Sequence, residues 1–193
     1  MKRSTIRVVS VDPGVDQIVL QRLALRLAPV FPAHCEIDSM TLDASAAFLP
    51  ARNQYFSAVL LAQLHRIPLA PATRLLAITS LDLCVPVLTF VFGEAQLGGP
   101  CAIVSTHRLR DEFYGLPADS SRLDERLLKE AIHEIGHTFG LRHCDNWECC
   151  MSSSHSVERI DYKAAEFCTA CHGALPPPRR SLFGPVYPLN PLN

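Results

Sequence analysis

The feature that most constrains this chain is a pair of histidines in its clearest amphipathic segment, residues 121–139. Apolar side chains recur there at helical spacing, which predicts a helix with one buried face. Ser121 and Asp124 form a start that resembles a capping box. His133 and His137 are one helical turn apart and lie outside the apolar arc, so both imidazoles point in the same direction. The two side chains can therefore bind the same ion or molecule.

The residues around this pair complete a metal-binding pattern. Two imidazoles at this spacing suit two corners of a zinc tetrahedron. Gly140 allows a sharp turn after the helix that brings His143 back as a third ligand, and the fourth corner is left to water. Glu134 lies beside the histidines, within reach of that water, and is a candidate general base. The spacing predicts a catalytic zinc bound by His133, His137 and His143.

Five of the eight cysteines crowd into residues 144–171, directly after the third histidine. In a chain of this length without an export signal, such crowding favours metal binding over disulfides. Two close pairs of thiolates suit a closed structural zinc, which would hold the loop that carries His143. We therefore expect two Zn²⁺ ions per chain. The predicted ligands of the second ion are Cys144, Cys149, Cys168 and Cys171, with Cys150 as the alternative to Cys149.

The composition limits the class of protein and its partners. The chain has 193 residues, 48% of them apolar, which is enough for one folded domain, expected over residues 1–174. Residues 175–193 are rich in proline, and we expect a tail without regular helix or strand. The net charge of −1 gives no support for nucleic acid or an anionic membrane as a partner. Since no apolar run suits a secretory signal or a membrane span, we expect a cytoplasmic monomer.

Upstream of the histidine segment, strand and helix patterns alternate. Helices are predicted at residues 15–28 and 55–65, where apolar residues follow helical spacing. Strands are predicted at residues 6–11, 35–42, 75–83, 88–92 and 101–105. Strands interleaved with helices and then following one another indicate an α/β layer, so we expect a mixed, mainly parallel sheet of about five strands packed with helices.

The histidines and the cysteines after them resemble the archaemetzincins, a branch of the metzincin clan of zinc peptidases. In that family the three-histidine motif runs directly into Cys-x4-Cys-x-Met and a later Cys-x-x-Cys. The matching residues here are Cys144, Cys149, Met151, Cys168 and Cys171. Less specific similarities lie at residues 52–55, 81–93 and 112–115, so the resemblance covers most of residues 5–172.

This resemblance implies a metzincin-like fold with the four-cysteine zinc subsite at its C-terminal end. It implies that Met151 forms the Met-turn, an apolar floor beneath the zinc-binding histidines. It also implies that an edge strand holds the substrate in extended form, and our candidate is residues 89–94. Pairing through backbone amides tolerates many sequences, as a peptide or protein substrate requires. The candidate contacts are Thr89, Phe90, Val91 and Phe92.

Two functions are compatible with these patterns. The first is a zinc-dependent metallopeptidase that hydrolyses peptide bonds with a zinc-bound water and Glu134 as general base. The second is a zinc-stabilised binding or scaffold protein with a catalytically idle three-histidine site. Glu134 favours the enzyme, because a purely structural site needs no base. A cysteine-rich nucleic-acid reader is disfavoured, because residues 144–171 contain only two lysine or arginine side chains. Candidates for an additional transition-state donor are Tyr114, Tyr162 and His155.

Overall fold

The computed structural model describes residues 4–31 and 33–175, in which strands and helices alternate before a helix-rich C-terminal part. The strands in this part of the chain are β1 (Ser4–Ser10), β2 (Ala33–Ser39), β3 (Phe48–Leu49), β4 (Gln54–Phe56), β5 (Thr73–Thr79), β6 (Leu83–Cys84), β7 (Gly93–Ala95) and β8 (Cys101–Ser105). The α-helices are α1 (Gln17–Leu27), α2 (Ser57–His65), α3 (Ser120–Thr138), α4 (Val157–Tyr162) and α5 (Thr169–Ala174).

A five-stranded sheet in the order β2-β1-β5-β8-β7 lies at the centre of the fold. Its first four strands run parallel, and β7 pairs antiparallel with β8. The inner strands β5 and β8 are almost continuously buried, as expected of strands that are covered on both faces. The predicted α/β class with a mixed, mainly parallel sheet of five strands is confirmed. The sheet ends at β7, beside α3.

Helices cover both faces of this sheet. Successive side chains of a strand point to opposite faces. Leu76 and Ile78 of β5 accordingly join the apolar cluster formed with α1 and α3, whereas Leu75 and Ala77 join the cluster formed with α2. The histidine-bearing helix is thus fixed to the sheet by a full apolar face, and its opposite face is left for chemistry.

The beginning of α3 differs from the prediction. The cap is Asp119, whose side chain accepts a hydrogen bond from the backbone amide of Arg122 at 3.0 Å. The predicted capping box was wrong, because Ser121 lies inside the helix and Asp124 forms an ion pair with Arg22. A carboxylate one residue before the helix satisfies the free amides of its first turn equally well. The register of the helix, and so the direction of its histidines, is unaffected.

The segment at residues 88–92 was predicted as a strand, and this was wrong. After β6 the chain runs through residues 85–92 as a loop, and the edge strand of the large sheet is β7, Gly93–Ala95. The carbonyls of Leu88 and Thr89 accept hydrogen bonds from the side chains of Arg52 and Gln54. The end of the loop bonds to neighbouring strands through the Val91 amide, which donates to the Leu83 carbonyl, and the Phe92 carbonyl, which accepts from the Ser105 amide. A second sheet, in the order β3-β4-β6, forms beside this loop and was not predicted.

A partly buried aspartate joins the ends of β1 and β5. The carboxylate of Asp12 accepts hydrogen bonds from the Thr79 hydroxyl at 2.5 Å, the Ser80 hydroxyl at 2.6 Å, and the backbone amides of Ser80 and Gly14, both at 2.9 Å. Burial opposes ionisation, but these donors outweigh it and hold the pKa of Asp12 below its usual value. The charged form of Asp12 therefore stabilises the fold.

The proline-rich tail predicted at residues 175–193 lies outside the described residues, apart from Leu175. Among residues 4–31 and 33–175, none of the helices combines the length and the apolar composition needed to cross a membrane.

Candidate metal centres and active site

The three histidines predicted as ligands converge on one point. His133 and His137 lie on α3, and Gly140, with a φ of 91°, turns the chain so that His143 returns to them. The ring centroids are 4.6 to 5.2 Å apart, and one ring nitrogen of each histidine lies within 4.8 Å of the others. The sequence prediction that these side chains gather is thus matched by the geometry.

Backbone carbonyls orient two of these rings. Nδ1 of His133 lies 2.9 Å from the Cys150 carbonyl oxygen, and Nδ1 of His137 lies 2.7 Å from that of Leu141. A carbonyl only accepts, so each Nδ1 donates its proton and each Nε2 carries a lone pair. Burial lowers the pKa of both histidines, which keeps them in this neutral form.

The two Nε2 lone pairs face each other at 3.0 Å. Such a contact is repulsive unless a cation lies between the nitrogens. A tetrahedral zinc with bonds of about 2.0–2.1 Å would separate its nitrogens by about 3.3–3.4 Å, close to the observed spacing. Neutral imidazoles with their Nδ1 protons held by carbonyls are also the usual state of zinc-binding histidines. The residues therefore fit a zinc ion.

Glu134 is buried beside the histidines, with only 5% of its surface exposed. Burial, and to a lesser extent the nearby Glu130 carboxylate, holds the pKa of the Glu134 carboxyl well above its usual range, although the Lys163 ammonium opposes this. The side chain packs across Gly93 of the edge strand: a Cβ atom at that position would lie 2.8 Å from Cγ and Oε1 of Glu134. Because glycine has no side chain, Gly93 makes room for Glu134. Sequence reasoning did not single out Gly93.

Met151 lies beneath the histidine helix and is completely buried. A Cβ atom at Gly136, which stands between the two helical histidines in sequence, would lie 2.5 Å from Sδ of Met151. Glycine inside a helix costs about 1 kcal/mol relative to alanine, so this close approach accounts for its presence. Met151 therefore packs directly against the turn of α3 that carries His133 and His137.

The four cysteines predicted as ligands also gather. Their sulfur atoms lie within 4.8 Å of one another, and the Cys144–Cys168 distance is 3.8 Å. That distance excludes a disulfide and equals the spacing of about 3.8 Å expected between sulfurs bound to zinc at 2.3 Å. Within this cluster the backbone amide of Cys171 lowers the pKa of Cys168 to about 7, whereas burial raises the pKa of Cys171. The set consists of Cys144, Cys149, Cys168 and Cys171.

Cys150, the alternative to Cys149, points elsewhere. Its thiol donates a hydrogen bond to the Lys129 carbonyl at 3.0 Å, and burial raises its pKa far above the normal thiol value. Cys149 takes the place in the cluster, where its sulfur accepts a hydrogen bond from the Cys168 amide at 3.3 Å. The two neighbouring cysteines thus face opposite sides of the chain.

A buried lysine lies beside the histidine cluster, and sequence reasoning missed it. Nζ of Lys163 lies 3.0 Å from Oε1 of Glu130 and donates to the carbonyls of Cys150 and Ser152 at 3.3 and 3.1 Å. The Cys150 carbonyl is also the acceptor for His133. A lone lysine in a polar segment gives no sequence signal for such a position.

The histidines and Glu134 form one wall of a cleft of about 500 Å³, a volume typical of ligand sites. The opposite wall is residues 88–95, which contains the loop with Thr89, Phe90, Val91 and Phe92 followed by β7. The predicted substrate-binding residues thus reach the cleft, although as a loop and not as a strand. Ser153, Ser154 and His155 close one side.

Only one of the three suggested transition-state donors lies in this cleft. His155 lines it. The Tyr114 hydroxyl instead donates to the Arg108 carbonyl at 3.0 Å, and Tyr162 is 70% exposed and does not line the cleft.

A helix with two histidines, a third histidine after a glycine turn and a buried glutamate in an open cleft define the class of zinc metallopeptidases. The sequence model of peptidase family M54 matches residues 43–176, and the chain belongs to this family. The archaemetzincin of Methanocaldococcus jannaschii is 40% identical over 157 residues, which cover 81% of this chain and 85% of the relative. That of Archaeoglobus fulgidus is 36% identical over 158 residues, which cover 82% and 91%.

Solved structures agree with this assignment. The archaemetzincin of Archaeoglobus fulgidus in complex with malonate superposes with a TM-score of 0.76 at 34% identity, covering 89% of this chain and 99% of the other. A zinc-dependent peptidase from Methanocorpusculum labreanum gives a TM-score of 0.80 at 32% identity, with coverage of 89% and 100%. The predicted family resemblance is confirmed, and the chain is a zinc metallopeptidase.

Proposed function

We propose that the chain hydrolyses peptide bonds at a zinc ion held by His133, His137 and His143, with Glu134 as general base. The observation that carries this proposal is the 3.0 Å distance between the Nε2 atoms of His133 and His137, whose lone pairs face each other beside the buried carboxyl group of Glu134. When bound, the zinc would supply Lewis acidity to a water molecule and to the scissile carbonyl. The proposal rests on three protein ligands, which leave a fourth position to solvent.

In this mechanism Glu134 accepts the proton of the attacking water and delivers it to the leaving nitrogen. Its burial suits that role, because a carboxyl shielded from solvent retains a proton until an amine takes it. Gly93 lets the carboxyl lie against the edge strand, so that base and substrate backbone are close together. An extended peptide would pair with the backbone of β7, which tolerates many sequences, and would lie against the side chains of residues 89–92.

We also propose a second, structural zinc on Cys144, Cys149, Cys168 and Cys171. Cys144 directly follows His143, and its amide donates to the Met151 carbonyl at 3.0 Å. This zinc would therefore fix the third histidine and the floor methionine together, with Met151 as the Met-turn. We propose one peptidase domain over residues 1–174, because both main apolar clusters pack on the same sheet.

The test is mass-spectrometric profiling of a peptide library with the wild type and the Glu134→Ala variant, each with zinc content measured. We expect cleavage by the wild type, inhibition by a hydroxamate, and no cleavage by a variant that retains its zinc. Cleavage that persists in Glu134→Ala would remove Glu134 from the mechanism. A wild type that binds zinc but cleaves nothing would support the scaffold alternative.

A further inference from the structure

Two of the upstream segments that resemble the family, residues 52–55 and 81–93, meet beside the cleft, although no residue of the proposed chemistry lies in the first of them. β4 pairs with β6, which places Arg52 and Gln54 next to Asp82 and to the loop that follows β6. The same loop supplies the cleft wall opposite the histidines. We call residues 88–92 the rim.

The beginning of the rim, Leu88 and Thr89, has little apolar support. Residues 86–89 are exposed, and Val87 exposes 87% of its surface. Apolar contacts hold the second half of the rim, since Phe92 is buried and Phe90 and Val91 pack, partly buried, against the two main apolar clusters. An exposed segment such as residues 86–89 is normally mobile, because few buried contacts oppose its entropy. The conformation of residues 86–89 must therefore come mainly from polar contacts.

Arg52 supplies most of these contacts. Its guanidinium donates to the Leu88 carbonyl at 2.8 Å, to the Thr89 carbonyl, and to the Val85 carbonyl at 3.5 Å. Its Nε atom donates to Oε1 of Gln54 at 2.8 Å. One planar guanidinium thus binds three backbone carbonyls of the loop through donors in a fixed arrangement. The ammonium group of a lysine cannot reproduce this geometry.

The remaining groups hold Arg52 and the rim in register. Gln54, which is buried, donates through Nε2 to Oδ2 of Asp82 at 2.9 Å and to the Thr89 carbonyl at 3.0 Å. Asp82 accepts two hydrogen bonds from Arg108, at 2.7 and 2.8 Å, and the guanidinium of Arg108 lies 4.4 Å from the ring centre of Phe90. The network therefore contacts both the backbone of the rim, at Thr89, and an aromatic side chain, that of Phe90.

We propose that Arg52, Gln54, Asp82 and Arg108 are positioning residues for peptide hydrolysis, which hold the rim in the conformation that binds extended substrate. None of the four residues lies on α3, in the three-histidine cluster or in the four-cysteine cluster. The network therefore acts on substrate binding and leaves the base and the zinc ligands alone. This inference rests on the proposed function, because it assigns the residues that set substrate affinity at that same cleft.

The test compares Arg52→Met and Arg52→Lys with Arg22→Met. Arg22 also pairs with a carboxylate, Asp124, but lies on α1 away from the cleft. For the peptide that the wild type cleaves best, we expect Arg52→Met to raise KM about tenfold with kcat within twofold, the signature of lost uniform binding. Arg52→Lys should recover part of the loss, and Arg22→Met should behave like the wild type.

Hydrogen exchange gives a readout that does not depend on activity. The amides of Leu88 and Val91, which donate to the Val85 and Leu83 carbonyls, should exchange faster in Arg52→Met, while those of α3 should be unchanged. Unchanged exchange in the loop would show that the network does not hold the rim. Faster exchange with unaltered KM, or a loss confined to kcat, would overturn its role in substrate binding. A wild-type protein without peptidase activity would contradict the proposed function instead. The hydrogen-exchange measurement would still test whether the network holds the rim in place.

Discussion

Gly93→Ala tests whether the edge strand positions the general base. The added Cβ atom would lie 2.8 Å from Cγ and Oε1 of Glu134 and from the Ile103 carbonyl oxygen. Non-bonded carbon atoms prefer about 3.5–4.0 Å, so Glu134 or the strand must move by about 1 Å. A displacement of 1 Å in a catalytic group costs about 100-fold in rate. We therefore expect kcat to fall about 100-fold.

The three histidines are not displaced by this change, so zinc content should stay at the wild-type value. Steady-state kinetics on one peptide, with metal analysis of the same samples, measures both quantities. Gly173→Ala is the matched control, since a Cβ atom there meets no atom within 4 Å. A Gly93→Ala enzyme with kcat within twofold of the wild type would refute the reasoning, as would an equal loss in Gly173→Ala.

Three further predictions concern the cysteine ligands, the packing of α3 and the stability of the sheet. Cys149→Ser should lower zinc from two ions per chain to one in metal analysis, whereas Cys150→Ser should keep both; the reverse result would exchange their roles. Gly136→Ala should lower the thermal midpoint by several degrees, since overpacking against Met151 costs about 1–3 kcal/mol; a raised midpoint would contradict that contact. Asp12→Asn should lower the unfolding free energy by about 1–2 kcal/mol at pH 7. Because the folded state lowers the pKa of Asp12, this difference should shrink as the pH falls below about 4; a difference that stays constant down to pH 2 would contradict the role of the charge.

The sequence predicts the parts of the molecule that depend on local spacing. The position of His133 and His137 on one helix face follows from the 3.6-residue period, and the return of His143 follows from a glycine that can adopt positive φ. The inner strands follow from continuous apolar runs. These features need no knowledge of the remainder of the chain.

The parts that it misses depend on tertiary contacts. The rim contains strand-forming residues, yet the side chains of Arg52 and Gln54, more than 30 residues away in sequence, donate to its Leu88 and Thr89 carbonyls. Conversely, Gly93 is a poor strand former, and its place on the edge strand follows from the close approach of Glu134. The spacing of the cysteines also cannot predict which of Cys149 and Cys150 faces the cluster. The hydrogen bond from the Cys150 thiol to the Lys129 carbonyl decides it.

The measurement that tests the central claim most directly is anomalous X-ray diffraction at the zinc edge from crystals of the zinc-loaded protein. We predict two zinc peaks per chain. One should lie among Nε2 of His133, His137 and the ring of His143, with its remaining position open to solvent beside Glu134, and the other among the four cysteine sulfurs. The absence of a peak among the histidines, or a protein side chain in the fourth position, would contradict the account.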